Sequence, residues 1–369
     1  MDSITFQRLL ALVNSALWDK QIDENLFNEI DSEKWKDLYH FSIRHGVLAI
    51  SFDGLMKLPT TLHPPLNLRM AWTLGSEQIE QNYKHISGVA KELNCLFKKE
   101  GMDMLIFKGL SLSAYYPIPA YREFGDIDIF LFGKHAEGNL LLDKIALKKE
   151  GSFQYKHSNY YYKDIMIENH AYLLNVRDSS QIAKLDKKLL DILQKNDINS
   201  KTKEDKLHFP PIKFTALFFI IHAIKHLSGA PLQLRTYCDW ALFLKAHIDE
   251  LNIEEWRSNL REAGLLDIAE AMTNLTFKWM EIPVNLPIHS CIHAVLEERI
   301  SNEMLRPFYP SCQSETLWGV FAYKYKRFYA RNKRYVSFHG GNFYSYFISS
   351  FYSSFIDHVK NPGTIFKFQ

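Results

Sequence analysis

The sequence predicts an α+β protein, with a small mixed β-sheet core flanked by N- and C-terminal helical regions. Three observations predict it. Apolar residues recur at helical spacing toward both ends of the chain. Between them lie short strand-like runs, Met104–Phe107, Asp126–Phe132, Tyr160–Tyr162 and Ile165–His170. A chain of 369 residues, 47% of them hydrophobic, has material for two or three packed units and for a sizeable core. The expected division is a helical region over 1–100, an α/β core over 101–208 and a helical domain over 209–369.

Phe6, Leu9, Leu10, Val13 and Leu17 mark the first helix. Leu58-Pro59 and His63-Pro64-Pro65 mark a turn or linker. A second helical pattern starts at Met70 and continues through Ile79, Tyr83, Ile86, Ala90, Leu93 and Phe97. Lys98 and Lys99 sit in its last turn and Gly101 stops it. Met104–Phe107 suits a buried strand, broken by Lys108-Gly109-Leu110-Ser111. A short helix over Leu112–Tyr116 ends at Pro117 and Pro119. The strand Asp126–Phe132 follows, then a helix over about 135–149 closed by Gly151, then two strands turned at Lys163-Asp164. Residues 178–208 are polar and lysine-rich, a surface helix plus loop. Beyond Pro210-Pro211 come helices over Phe214–Leu227 and Leu234–Ala246, and two more within Leu251–Met280.

Composition narrows the function. Lys and Arg (44) nearly balance Asp and Glu (42), so the whole chain shows no basic or acidic bias toward a polyanionic or polycationic partner. Cys95, Cys238, Cys291 and Cys312 are too dispersed for a CxxC zinc or redox pair or a disulfide framework, and a reducing cytoplasm fits them. Leu9–Val13 is too short for a secretory apolar segment. Phe214–Ile224, the longest strongly apolar stretch, falls short of the roughly 20 residues that cross a bilayer.

The chemistry concentrates at Asp126-Ile127-Asp128. Side chains alternate along a strand, so the two carboxylates share a face while Ile127 and Ile129 take the other. Paired carboxylates repel unless a cation lies between them, and Mg²⁺ is the hard ion that suits them, usually with substrate phosphates. A solvent-exposed strand start is the plainer alternative. Lys108-Gly109-Leu110-Ser111 places a glycine and free backbone N–H groups after a strand, where a phosphate can approach. Glu168 lies on a later strand with His170 on the same face, and a third carboxylate would complete a site for two metal ions.

This arrangement resembles the uncharacterised nucleotidyltransferase family of the DNA-polymerase-β-like superfamily. The resemblance rests on the Lys-Gly-x-Ser turn, Arg122 ahead of Asp126-Ile127-Asp128-Ile129, and the Glu168-x-His170 strand. It continues through His222-Ala-Ile-Lys-His226, then Arg235 and Asp239 ahead of an apolar helix, and covers about residues 100–250. It implies transfer of a nucleoside monophosphate from an NTP to an acceptor with two Mg²⁺ ions and loss of pyrophosphate. By that resemblance Asp126, Asp128 and Glu168 are catalytic residues and metal ligands, and Gly109 and Ser111 cradle the triphosphate. The turn departs from the superfamily's usual Gly-Ser or Gly-Gly-Ser, because Leu110 separates Gly109 from Ser111.

Lys108 and Arg122 flank this site as candidate nucleotide-binding cations; Arg122 alternatively pairs with Glu123 or Asp126. His170 can orient a carboxylate, touch substrate, or simply be a satisfied structural histidine. His222 and His226 share a helix face and, with Arg235 and Asp239, either line the cleft or pack helix on helix. Two rival functions follow. One is a non-catalytic nucleotide-binding module. The other is an RNA-binding protein using Tyr323–Tyr335, where basic residues alternate with aromatics. The acceptor stays open among a small molecule, a sugar, a protein and RNA. The apolar stripe Phe343, Phe347, Ile348, Phe351, Tyr352, Phe355 and Ile356 is expected to pack on the protein's own core.

Overall fold

The computed structural model describes residues 3–145, 148–149, 156–176, 179–195, 207–284, 293–305, 316–339, 343–344, 347–348 and 350–352. Four helices open the chain: α1 (Ser3–Trp18), α2 (Ser32–Arg44), α3 (Leu48–Leu55) and α4 (Leu66–Lys99). Asp31 caps α2 by accepting the Lys34 N–H at 2.8 Å. At the end of α4, Gly101 takes φ +69°, the Met102 N–H reaches back to the Phe97 carbonyl, and the Gly101 N–H to that of Lys98. This is the six-to-one, five-to-two closure that a glycine just past a helix permits.

The α/β part then runs β1 (Leu105–Ile106), α5 (Gly109–Ser113), β2 (Asp126–Phe130), α6 (His135–Ile145), β3 (Lys148–Lys149), β4 (His157–Tyr162) and β5 (Ile165–His170). The strands form one mixed sheet in the order β1-β2-β5-β4-β3. Among the five described strands β2 and β5 pair in parallel, with Asp126 opposite Met166 and Asp128 opposite Glu168. Lys163 and Asp164 turn the β4–β5 hairpin at φ +50° and +64°, the two positive values that a tight two-residue hairpin needs. Lys163 and Tyr162 then tie that turn to Glu92 of α4 at 2.5 and 2.6 Å.

Pleating gives the sheet two unlike faces. Ile127, Ile129, Ile165, Ile167 and Tyr160 pack against Ile86, Val89, Ala90, Leu93 and Phe97 of α4 and Leu142 of α6. Gly138 lets α6 lie this close; a Cβ there would stand 2.1 Å from Leu131 Cδ1. The other face carries Asp126, Asp128, Glu168 and His170. The helices that follow are α7 (Ser180–Lys195), α8 (Ile212–Gly229), α9 (Leu234–His247), α10 (Ile253–Glu262), α11 (Leu266–Met280), α12 (Ala294–Leu305) and α13 (Leu317–His339), and α8 lies beside this face. Phe107 of the β1–α5 turn meets Phe218 of α8 edge-on, with ring centroids 5.1 Å apart. A second apolar cluster joins α8, α9 and α11 to α1, α2 and α3, so the first and last helical regions share one core.

Three elements differ from expectation. The short helix expected over Leu112–Tyr116 instead starts at Gly109 and ends at Ser113. The helix from His135 stops at Ile145, and Lys148–Lys149 instead form an edge strand paired with Tyr160 and Tyr161. An unpaired β4 edge offers those backbone groups a ladder, and lysine suits an edge strand. The strand from Asp126 ends at Phe130, because Phe132 and Gly133 turn away at φ +50° and +89°. The basic-aromatic segment lies on α13. There Arg334 is buried against Glu303 at 2.7 Å, which commits one of its cations inside the fold. Phe343 and Phe347 of the downstream stripe pack on Tyr329, and Phe351 on Phe328; Phe355 and Ile356 lie outside the described residues, as do Cys291 and Cys312. Cys95 and Cys238 are free thiols. Among the described residues no helix is long and apolar enough to cross a membrane.

The loop leading into β2 is locked to α9 by charge. Arg122 donates to both oxygens of Asp239 at 2.7 and 2.8 Å, and the Tyr116 hydroxyl adds a third bond at 2.6 Å. All three side chains are buried. The neighbouring Glu123 accepts the Leu48 N–H from α3, and its carbonyl accepts from Arg235. Removing one partner of a buried pair leaves the other uncompensated. Asp239→Ala should therefore cost about 3–5 kcal/mol in urea denaturation, and Tyr116→Phe about 1 kcal/mol. A loss for Asp239→Ala no larger than that for Tyr116→Phe would show that the pair does not hold the loop.

Candidate active site

Strand alternation builds the site. Asp126 and Asp128 of β2, Glu168 and His170 of β5 and His157 of β4 project from one face, because Asp128 stands opposite Glu168 and His170 opposite His157. The β1–α5 turn supplies a cation. Lys108 holds φ +71°, ψ −157°, a backbone region that costs a non-glycine residue about 1–3 kcal/mol. The turn is held by the Ser111 N–H and hydroxyl, both donating to the Lys108 carbonyl, at 2.7 and 2.8 Å. Gly109 follows at φ +34°, where a Cβ would crowd the Phe124 ring at 3.2 Å. The result is that Lys108 Nζ meets Asp128 Oδ1 at 2.6 Å.

His170 Nε2 lies 2.9 Å from the same Oδ1. An ionised carboxylate only accepts, so this nitrogen carries a proton. The same Nε2 stands 3.3 Å from Glu168 Oε2, and Glu168 Oε1 stands 3.9 Å from His157 Nε2. Burial pushes the Asp128 carboxyl up, but Lys108 and His170 outweigh it and hold it well below the usual range. Asp126 lacks such partners. Burial, then the neighbouring charge of Asp128, pushes it up to about 6, with Lys108 pulling the other way and Glu168 adding to the rise. Glu168 is raised by burial, yet its contact with His170 brings the net shift down. Lys108 stays firmly cationic, because Asp128 and Glu168 outweigh its desolvation.

A second wall comes from α8. Phe218 lies against Lys108, 5.9 Å from ring centre to Nζ, and stacks on His222. His222 Nε2 and His226 Nε2 are 3.1 Å apart. Burial, then the positive charge of Lys108, holds both imidazoles neutral, His222 far down and His226 down to about 4. Lys156, just ahead of β4, is brought down to about 7 by burial and by Lys108 and Lys225.

The structure thus gathers Lys108, Asp126, Asp128, Glu168 and His170 on one face and sets His222 and His226 across from them. It commits other candidates elsewhere. Two nitrogens of Arg122 hold Asp239, while its Nη1 is buried without a partner among the described residues. Arg235 donates to the Glu123 carbonyl. The Ser111 hydroxyl is turned inward to its own turn. Two residues at the site, Lys156 and His157, were not foreseen. Counting outward from the Lys163-Asp164 turn places residue 157 opposite 170, so the hairpin register carries that signal; Lys156 has no comparable mark in the sequence.

A family model described as an uncharacterised nucleotidyltransferase matches residues 31–281, and the chain belongs to that family. The match supports a general nucleotidyltransferase role. Neither the curated proteins nor the solved structures compared with the chain gave a match.

Burial beside Asp128 makes an ionised Asp126 unfavourable. Its folded-state pKa of about 6 exceeds the ordinary 3.8, so within that window the folded chain binds more protons than the unfolded one. Its contribution therefore falls as pH rises through the window, and the full penalty persists at neutral pH. Asp126→Asn should raise stability at pH 7.5 without divalent ions by about 1–2 kcal/mol and flatten the profile between pH 4 and 6. Urea denaturation across that range checks both, and a destabilised variant would contradict the electrostatic account.

Proposed function

We propose that this protein transfers a nucleoside monophosphate from an NTP to an acceptor, with Mg²⁺, and releases pyrophosphate. The observation that carries the reading is the shared face of Asp126, Asp128 and Glu168, facing Lys108. The donor set fits a hard divalent ion: three carboxylates on adjacent strands, one of them, Asp126, only partly offset by Lys108. Those three would hold the metal, which supplies charge neutralisation at the phosphates when bound.

The chain's own residues then divide the work. Asp128 stays ionised over the whole working range and orients Lys108. Lys108 is in place to pair with a phosphate oxygen and to offset charge as pyrophosphate leaves. Gly109 and its turn allow close backbone approach at the same point. Glu168 serves either as the third metal ligand or as the base that takes the proton from the acceptor hydroxyl as its oxygen bonds to the α-phosphorus and the bond to pyrophosphate breaks. Neutral His222 and His226 offer donors from the α8 wall without adding charge. Ser111 and Arg122 serve by fixing the turn and the loop that aim Lys108 and Asp126.

Purified protein should move label from one of the α-labelled NTPs to a molecule in cell lysate with Mg²⁺, and identifying that molecule distinguishes a small compound, sugar, protein or RNA acceptor. Asp126→Asn with Asp128→Asn should lower transfer by at least about 10²–10³-fold while circular dichroism stays unchanged. Lys108→Ala should lower it by about 10–100-fold. NTP binding without pyrophosphate release from any acceptor would reduce the protein to a nucleotide-binding module.

A further inference from the structure

We propose that His157, Glu168 and His170 form a seat for a borderline transition-metal ion such as Zn²⁺ or Co²⁺, with Asp128 as a fourth ligand. This seat adjoins Asp126 and shares Glu168 and Asp128 with the proposed Mg²⁺ ligands, but its two imidazoles set it apart. Each of the three residues offers a ligand atom, and these atoms lie within 4.8 Å of one another. Two ligands on a tetrahedral ion at about 2.0–2.2 Å stand roughly 3.3–3.6 Å apart. His170 Nε2 is already 3.3 Å from Glu168 Oε2 and 2.9 Å from Asp128 Oδ1, and His157 Nε2 is 3.9 Å from Glu168 Oε1. Binding the ion moves the His170 proton from Nε2 to Nδ1, which faces the Tyr172 carbonyl, and side-chain rotation draws the His157 and Glu168 ligand atoms closer.

The surroundings match that use. The two imidazoles come from directly opposed positions of an antiparallel ladder, and their ring centroids are 5.0 Å apart, so the backbone fixes their approach. His170 Nδ1 faces the Tyr172 carbonyl at 3.3 Å, the outer contact that commonly orients a metal-binding histidine. His157 Nδ1 is buried without a hydrogen-bond partner among the described residues, so His157 lacks the outer contact that His170 has. Imidazole nitrogen with carboxylate selects Zn²⁺, Co²⁺ or a similar ion over Mg²⁺, which prefers an all-oxygen shell and sheds water reluctantly.

Co²⁺ titration of the metal-stripped full chain, followed by visible absorption, tests the seat. The expected result is one Co²⁺ per chain with the intense bands of a low-coordinate, nitrogen-ligated ion, displaced by stoichiometric Zn²⁺ and retained in about 100-fold excess Mg²⁺. His157→Gln should weaken Co²⁺ binding by at least about tenfold, whereas Asp126→Asn should leave it within about twofold. Displacement by Mg²⁺ at equal concentration, or unchanged Co²⁺ affinity in His157→Gln, would overturn the proposal. The Mg²⁺ competition uses the wild-type chain, so it decides the matter even if a histidine variant fails to fold. Nucleotidyl transfer is measured separately, so loss of transfer in Asp126→Asn with intact Co²⁺ binding bears on the Mg²⁺ reading alone.

Discussion

A single buried contact, Lys108 Nζ on Asp128 Oδ1, lets acidic residues crowd one face of a small sheet. Without that cation, Asp128 would be a carboxylate at 3% exposure beside two others, and burial would favour its neutral form. The contact is reached only because Lys108 accepts a backbone conformation better suited to glycine. Strain in the turn and repulsion on the sheet therefore belong to one arrangement: the chain holds a lysine where its charge is needed most.

The rest of the fold secures that geometry from both sides. On the apolar face, α4 and α6 clamp the isoleucines of β2 and β5, so the strands cannot slip register without exposing them. On the polar face, α8 sets Phe218 against Lys108 and keeps two histidines neutral. The loop into β2 is fastened to α9 through Arg122 and Asp239. Because the first three helices and the last group share one core, that fastening also fixes the sheet relative to both helical regions.

The charge balance has a direction. Asp128 is compensated, Glu168 partly so through His170, and Asp126 least, and the imbalance marks where an external cation is most favoured. The imidazoles at the far end of the same face add softer donors. One sheet face thus grades from all-oxygen at β2 to nitrogen-bearing at β4.

Local rules were enough for much of this. Period-two alternation put Asp126 with Asp128 and Glu168 with His170. Gly101 marked the end of α4 and Lys163-Asp164 marked the hairpin, because a positive φ is a property of one or two residues. What no local rule could reach was who faces whom. The parallel pairing of β2 with β5 joins strands that are not consecutive, Arg122 finds Asp239 across 117 positions, and Lys148–Lys149 became a strand only because β4 had a free edge. Those choices were made by burial and charge pairing across the whole molecule, where the energy of each contact depends on everything already packed around it.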